Sequence, residues 1–466
     1  MKPDTPPTRA QTLAGIAGLS FGTALVVLDG GIANVALPTI ARDLKVDSSA
    51  AVLVVTVYQL VLVMTLLPLS AVGDRIGLRR LYQGGQLLFA VASLLAFFAH
   101  SLPFLLVVRM LQALGAGAAL SVTSAMLRRL YAPQHLGRGL GLNSIVVSAS
   151  AALAPTAGGL ILSFASWPWL FIAAAPLAVF SLALGRFLPN PEPRPEPFDF
   201  TGALLCAATF GLIIGGLESA VHGGSPVVSA AITVIGIALA FVLVRNQRQE
   251  ARPVLPVDLL ARPVVALSAL GGFLVFTASM MLLVSLPFRL EHEFGFSPQQ
   301  VGAMIAPWPL TTLFVAPLAG SLSDKYPAGV LGGIGMAIGV TALVLLAMLP
   351  SHPSYFDIAW RMSLCGAGFG MFMSPNARLI IGSSPRERAA SAGGLVSTLR
   401  LCGQTTGATM VAALLAVGLG GGHTPALVAA GLATIAGLCS IARLNPAIRL
   451  PNATEVEALR APGPLN

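Results

Sequence analysis

A single carboxylate lies within a long apolar stretch near the N-terminus. The stretch VVLDGGIANVALP runs from Val26 to Pro38, and Asp29 is its only charged residue. Arg109, of opposite charge, lies in another apolar stretch that contains RMLQALGAG. Charged side chains are costly in hydrocarbon, where they usually pair or form part of an ion or proton pathway. The two residues are therefore either a proton-binding acid with its basic partner, or an ion pair that only fixes helix packing.

Other polar residues within apolar stretches are candidates for a substrate site. Asn34, Tyr58 and Gln59 fall near the expected depth of Asp29, where they either line a cavity or form hydrogen bonds between helices. Arg400 lies deep in an apolar stretch, and the sequence identifies no acidic partner for it. Glu218 falls near the end of a stretch and is expected at the membrane interface. The histidines and cysteines have neither metal-ligand nor catalytic spacing, so we expect no catalytic residue, metal site or cofactor.

The composition indicates the elements that position these residues. Of 466 residues, 55% are hydrophobic and 10% charged, whereas soluble domains average about 25% charged. Apolar runs of about 20 residues recur along the chain, which predicts an all-α polytopic membrane protein. The fourteen predicted spans are residues 12–36, 50–72, 82–100, 103–127, 140–163, 168–188, 201–219, 226–244, 264–288, 299–322, 328–349, 356–378, 391–414 and 425–443. In a hydrocarbon core of about 30 Å, Asp29 and Arg109 then lie at similar depth.

The basic residues predict the orientation in the membrane. The net charge is +9, and 21 of the 27 Lys and Arg residues fall on the same side as the N-terminus. This bias is typical of cytoplasmic loops, so both termini are expected in the cytoplasm. The bias also accounts for the positive charge without a nucleic-acid partner.

Two similar loop segments and a proline-rich linker indicate the domain organisation. SAVGDRIGLRR follows the second span and GSLSDKYPAG follows the tenth, which is the spacing of six helices plus two. The linker LPNPEPRPEPFDF favours an extended spacer because proline disfavours helix. The predicted arrangement is 6 + 2 + 6: a six-helix bundle (residues 1–198), an inserted two-helix hairpin (199–245), and a six-helix bundle with a cytoplasmic tail (246–466).

Four motifs carry a resemblance to a known family. LDGGIANVALP, GDRIGLRR, RMLQALGAG and APTAGG occur in the spans where the major facilitator superfamily has similar motifs, and nearly the whole chain resembles its fourteen-span drug/proton antiporter branch. The resemblance implies the major facilitator fold. It also implies a proton-coupling role for Asp29 and Arg109.

The resemblance assigns two further motifs. It implies a charge latch at the cytoplasmic ends of the helices, whereas the basic residues alone are also explained by membrane orientation. The latch residues are Asp74, Arg75, Gly77, Arg79, Arg80, Asp324 and Lys325. In the fifth span, Pro155, Gly158 and Gly159 resemble the antiporter motif, with Ala154 where glycine is usual; composition alone would also fit simple helix packing.

The resulting hypothesis is a proton-driven multidrug exporter in a bacterial inner membrane. Its expected substrates are lipophilic cations, such as quaternary ammonium compounds and dyes, which would compete with protons for Asp29. The alternative is an exporter of a specific metabolite or organic anion, with Arg109 or Arg400 as the counter-ion. We expect no enzymatic activity and function as a monomer, with a lipophilic small molecule, protons and the lipid bilayer as partners.

Overall fold

The computed structural model describes residues 9–131, 136–189, 199–221, 223–247, 257–323, 325–383 and 389–445. The regular secondary structure in these ranges is helical. The first part contains α1 (Arg9–Leu44), α2 (Ser48–Ile76), α3 (Leu78–Leu95), α4 (Leu102–Leu130), α5 (Leu136–Phe164), α6 (Pro168–Ile172) and α7 (Ala175–Gly185). A pair follows, α8 (Phe200–Val221) and α9 (Pro226–Gln247). The remainder contains α10 (Val257–Leu260), α11 (Pro263–His292), α12 (Pro298–Ile305), α13 (Pro307–Leu322), α14 (Ala328–Ala347), α15 (Tyr355–Gly382), α16 (Ala389–Ala416) and α17 (Thr424–Ala442).

The described ranges form fourteen membrane spans, which confirms the predicted all-helical membrane architecture. Two spans consist of two helices each, α6 with α7 and α12 with α13. Each break lies just before a proline in the first turn of the second helix, Pro176 in α7 and Pro307 in α13. Proline lacks the backbone N–H that would continue the preceding helix, but it is well accommodated in a first turn.

The helices pack as two groups with a hairpin between them. In the first group α1 packs on α5 and α7, and α4 packs on α2 and α3; in the second, α11 packs on α16 and α17, and α15 on α13 and α14. The hairpin α8–α9 packs on itself, and α8 also contacts both α2 and α16. We call the two groups the N-bundle (α1–α7) and the C-bundle (α11–α17). The 6 + 2 + 6 division stays a prediction, because packing alone does not define which helices move together.

Glu218 lies in the last turn of α8, near the end of a span as the sequence indicates. Its side chain is buried, with 8% of the residue exposed, and it accepts a 2.5 Å hydrogen bond from Thr409 Oγ1. Glu218 lies on α8 and Thr409 on α16. Because α8 packs on α16, this side chain contacts a helix face. Its location at the membrane interface stays a prediction.

The two bundles contact each other in two main places, where α5 packs against α12 and where α2 packs against α16. We call the side where α1 begins the near face and the opposite side the far face. The far half of α5 packs against α12, and buried residues of both helices, including Ala154 and Val301, belong to one continuous apolar core. This core extends from α1 to α17 and joins the N-bundle to the C-bundle.

Candidate transport cavity

A cavity of about 410 Å³ lies between the two bundles. Small-molecule sites are commonly about 300–1,000 Å³ in volume, so this cavity is large enough for an organic ligand. Its walls come from α1, α2, α4 and α5 of the N-bundle and from α11, α12, α13, α15 and α16 of the C-bundle. Pro155, Ile305 and Trp308 belong to its wall next to the α5–α12 contact. A ligand in this position contacts both bundles at once.

Asn34, Tyr58, Gln59 and Arg400 all lie on the wall of this cavity. The first three are buried, yet Asn34 Oδ1, Tyr58 Oη and Gln59 Oε1 have no hydrogen-bond partner in the described part of the chain. The amide of Gln59 has only a weak contact, 3.8 Å to Met280 Sδ. Buried polar groups are normally satisfied, so these atoms are available to a ligand or to water.

Arg400 is the one charged side chain among the described residues that line the cavity. It forms no hydrogen bond or ion pair with any described residue. Gln404 follows one helical turn later on α16 and lines the same wall. Sequence analysis overlooked Gln404, although its i, i+4 spacing from Arg400 places the two on one helix face.

Asp29 and Arg109 form a buried ion pair in the N-bundle. Arg109 Nη1 lies 2.7 Å from Asp29 Oδ2, and the two side chains are 0% and 1% exposed. Arg109 Nη1 also lies 2.9 Å from Gln112 Oε1, and its Nε donates to the backbone oxygen of Val54 at 3.1 Å. The guanidinium thus joins α1, α2 and α4. Sequence analysis overlooked Gln112, which lies one turn from Arg109 on α4.

The ion pair is incompletely satisfied and lies behind the cavity wall. Asp29 Oδ1 and Arg109 Nη2 are buried without a hydrogen-bond partner among the described residues. Arg109 Cζ lies 4.0 Å from the centre of the Tyr58 ring, and this ring lines the cavity. Asp29 itself is absent from the described cavity wall. In this conformation Tyr58 therefore connects the ion pair to the cavity, and the carboxylate does not face a ligand.

The APTAGG segment of α5 lies at the contact between the bundles. A Cβ built on Gly159 would lie 2.6 Å from the carbonyl oxygen of Pro298, and one built on Gly302 would overlap the carbonyl oxygen of Pro155. Glycine at both positions thus lets α5 and α12 approach closely. The segment packs against the C-bundle through its own backbone.

A second face of α5, about 100° around the helix from the first, packs against α1. The Cβ of Ala154 lies 2.6 Å from where a Cβ on Gly31 would be, and the Cβ position of Gly158 is 3.3 Å from the Ile32 carbonyl oxygen. Ala154 stands where the family motif usually has glycine. Here Gly31 on α1 provides the missing space, so the close approach is kept.

The latch residues that the structure describes lie at the near face. Gly77 separates α2 from α3 with a φ of 101°, a backbone conformation that favours glycine. Arg75 and Arg80 are exposed and Arg79 is half-buried at the start of α3. Lys325 is exposed in the turn after α13, whereas Asp324 and the Asp74 side chain lie outside the described residues. The described part of this motif shows no ion pair.

The fold and the site define a polytopic membrane carrier, with two helical bundles around a central cavity that both bundles line. The chain belongs to the Major Facilitator Superfamily, whose sequence pattern it matches over residues 19–270 and 268–463. Members of this family are transporters and not enzymes, as predicted for this chain.

The similar proteins are membrane transporters. The chain is 42% identical to the uncharacterized transporter YebQ of Escherichia coli K12, over 93% of this chain and 96% of that protein. It is 30% identical to the riboflavin transporter RibZ of Clostridioides difficile, over 82% of this chain and 83% of that protein. It is 27% identical to the methyl viologen resistance protein SmvA of Salmonella typhimurium, over 79% of this chain and 76% of that protein. Among solved structures, it resembles an inward-facing bacterial homologue of the human lysosomal transporter Spinster, with a TM-score of 0.70 and 16% identity over 96% of this chain and 100% of that one.

Proposed function

We propose that this protein is a proton-coupled efflux antiporter of the fourteen-span drug/proton branch, acting as a monomer in a bacterial inner membrane. The near face is the cytoplasmic face and the far face is the periplasmic one. The observation that carries the proposal is the buried pair of Asp29 and Arg109, 2.7 Å apart and in contact with the cavity through Tyr58. Buried ionisable residues in spans commonly mark proton pathways.

Proton binding at Asp29 changes the contacts of Arg109. A protonated carboxyl no longer neutralises the guanidinium, whose remaining bonds to Val54 and Gln112 link α2 and α4. Because the Arg109 guanidinium lies against the Tyr58 ring, its displacement alters the cavity wall. In this mechanism protonation changes the relative stability of the two conformations of the carrier and the affinity for substrate together.

The α5–α12 contact is the proposed outer gate. It joins the bundles on the far side of the cavity, at Gly159 and Gly302. Cavity residues on the near side of this contact include Thr23, Val147 and Ser397. This arrangement fits a carrier that is closed to the periplasm and loads substrate from the cytoplasm. Opening of the same contact would release the substrate outward.

Two substrate classes have support from different observations. The methyl viologen resistance of SmvA supports lipophilic cations, which the aromatic wall would stabilise through cation–π contacts. The charge of the wall supports organic anions, because its described residues include Arg400 and no acid. Aromatic, amphiphilic molecules occur in both substrate classes, so the two classes differ in the charge of the substrate.

Transport in proteoliposomes tests the function. With purified protein and a pH gradient, we expect uphill movement of a substrate that stops when nigericin collapses the gradient. Absence of such movement for both cationic and anionic dyes would contradict proton-coupled efflux.

The membrane potential distinguishes the substrate classes. Each elementary charge moved across 100 mV is worth about 2.3 kcal/mol. Exchange of one cation for one proton moves no net charge, whereas export of one anion with entry of one proton moves two. At this stoichiometry, a potential imposed with valinomycin accelerates only the export of an anion.

A further inference from the structure

We propose that Arg400 is the binding site for an oxyanion group, a carboxylate or a sulfonate, on an aromatic amphiphilic substrate. This inference rests on the proposed function and names the substrate class of its cavity. It selects the anionic class over the lipophilic cations. The argument rests on the charge, the hydrogen-bonding atoms and the shape of the cavity wall.

The two arginines near the centre of the molecule have different surroundings. Arg109 is neutralised by Asp29 and hydrogen-bonded to Gln112 and Val54. Arg400 is half-buried on the cavity wall and has no ionic or hydrogen-bonding partner among the described residues. A charge held within a membrane protein normally has a counter-ion. The described cavity wall contains none, so the substrate supplies it.

Two further polar side chains of the same cavity wall, Gln404 and Tyr58, can donate hydrogen bonds to an oxyanion. The Gln404 side chain lies one turn along α16 on the same wall and makes no hydrogen bond to a described residue. The hydroxyl of Tyr58, on the opposite bundle, is buried and also has no hydrogen-bond partner among the described residues. A guanidinium binds two oxygens of one carboxylate or sulfonate with parallel hydrogen bonds. An amide and a hydroxyl can donate to the remaining lone pairs.

The rest of the wall fits an aromatic body. Trp308 and Phe276 line the C-bundle side, together with Met280 and Leu283. These residues offer flat apolar surfaces and the adaptable packing of a methionine. A molecule with an aromatic ring system and one oxyanion therefore matches both the apolar and the charged parts of the cavity.

This assignment separates the substrate site from the proton site. Arg400 lies on α16 of the C-bundle and Asp29 on α1 of the N-bundle. The substrate anion and the proton thus bind different side chains. Their coupling is then conformational, through the bundle contacts, and does not require direct competition for one carboxylate.

Two xanthene dyes of opposite charge test the inference. Binding of fluorescein, an anion, and of rhodamine 123, a cation, is measured by fluorescence anisotropy with the full-length protein in nanodiscs at mildly alkaline pH. We expect saturable binding of fluorescein that is tighter than binding of rhodamine 123. Arg400→Gln weakens fluorescein binding about tenfold or more, because a charge-assisted interaction is lost, and does not weaken rhodamine 123 binding. Arg400→Lys retains part of the fluorescein affinity.

A matched control removes the same charge from elsewhere in the C-bundle. Arg378 binds Ser323 Oγ and the backbone oxygen of Gly320, away from the cavity wall, so Arg378→Gln should leave both dyes unaffected. Tighter binding of rhodamine 123 by the wild type, no saturable binding of fluorescein, or an equal loss of both dyes in Arg400→Gln would overturn the inference. Arg400-dependent fluorescein binding without proton-driven transport would contradict only the proposed function.

Discussion

Arg109 donates a 2.7 Å hydrogen bond to Asp29, yet the second carboxylate oxygen and the second terminal nitrogen of this pair are buried without a partner in the described chain. A pair that served only to fix helix packing would be expected to satisfy these atoms, since each unsatisfied buried group costs free energy. Only the Tyr58 ring separates the Arg109 guanidinium from the cavity. In the proposed mechanism, proton binding at Asp29 changes the hydrogen bonds of this pair.

Asp29→Asn should abolish proton-coupled efflux, because asparagine keeps the shape of the side chain and cannot bind a proton. Asp29→Glu should retain part of the activity. Uphill dye transport in proteoliposomes under a pH gradient measures both. Wild-type rates in Asp29→Asn would show that the proton carrier is another residue and that Asp29 is a structural partner of Arg109.

Gly302→Ala should weaken the far-side contact, because the added Cβ overlaps the carbonyl oxygen of Pro155. We expect the far-side ends of the bundles to separate. His100 and His352 are exposed on the far side of the N-bundle and the C-bundle respectively. The distance between spin labels at these two positions is measured by pulsed electron paramagnetic resonance. Gly84→Ala is the control, since no atom lies within 4 Å of its added Cβ. An unchanged distance distribution in Gly302→Ala would rule out this contact as the gate.

Thr409→Val should lower the thermal unfolding midpoint, because it removes the 2.5 Å hydrogen bond between the hairpin and α16. Loss of a bond to a buried carboxyl costs about 1–3 kcal/mol. Glu218→Gln should be milder, since the amide oxygen still accepts from Thr409. Thr434→Val is the matched control, because Thr434 bonds to Ala430 of its own helix. Equal midpoints for Thr409→Val and Thr434→Val would show that the hairpin contact adds no stability.

Asp74→Asn should slow transport and change equilibrium substrate affinity by only a few-fold, because a latch shifts conformational populations without forming the binding site. Arg245→Gln, which removes an exposed charge at the end of α9 outside the motif, is the control and should leave the transport rate unchanged. Stopped-flow efflux gives the rate and dye titration the affinity. An unchanged efflux rate in Asp74→Asn would contradict the latch, and the charges of the motif would then serve only to orient the protein in the membrane.

Single cysteines at Pro195 and Gly422 should label from the cytoplasmic and the periplasmic side respectively, in a background without the native cysteines. The prediction rests on the distribution of basic residues between the two faces. An impermeant maleimide applied to intact cells and to inverted vesicles measures it. Labelling of both positions from the same side would contradict the fourteen-span topology.

The sequence alone determined which segments cross the membrane and which charges they carry. Hydrocarbon imposes a length of about 20 apolar residues on each span, so composition is sufficient to locate the helices. The same rule made Asp29, Arg109 and Arg400 conspicuous, because each is costly where it lies. Asn34, Tyr58 and Gln59 were predicted from their depth along the helix, and the structure places them with Arg400 around one cavity.

The tertiary structure decided which way these residues face and what they meet. Hydropathy specifies neither the rotation of a helix about its axis nor which helices are its neighbours. The sequence therefore did not predict that Asp29 lies behind Tyr58 or that Glu218 packs against Thr409. It also did not predict that Arg400 has no counter-ion among the described residues. The pairing of Gly31 with Ala154 also depends on which helices touch. These contacts join residues far apart in the chain, and only the packing of the helices brings them together.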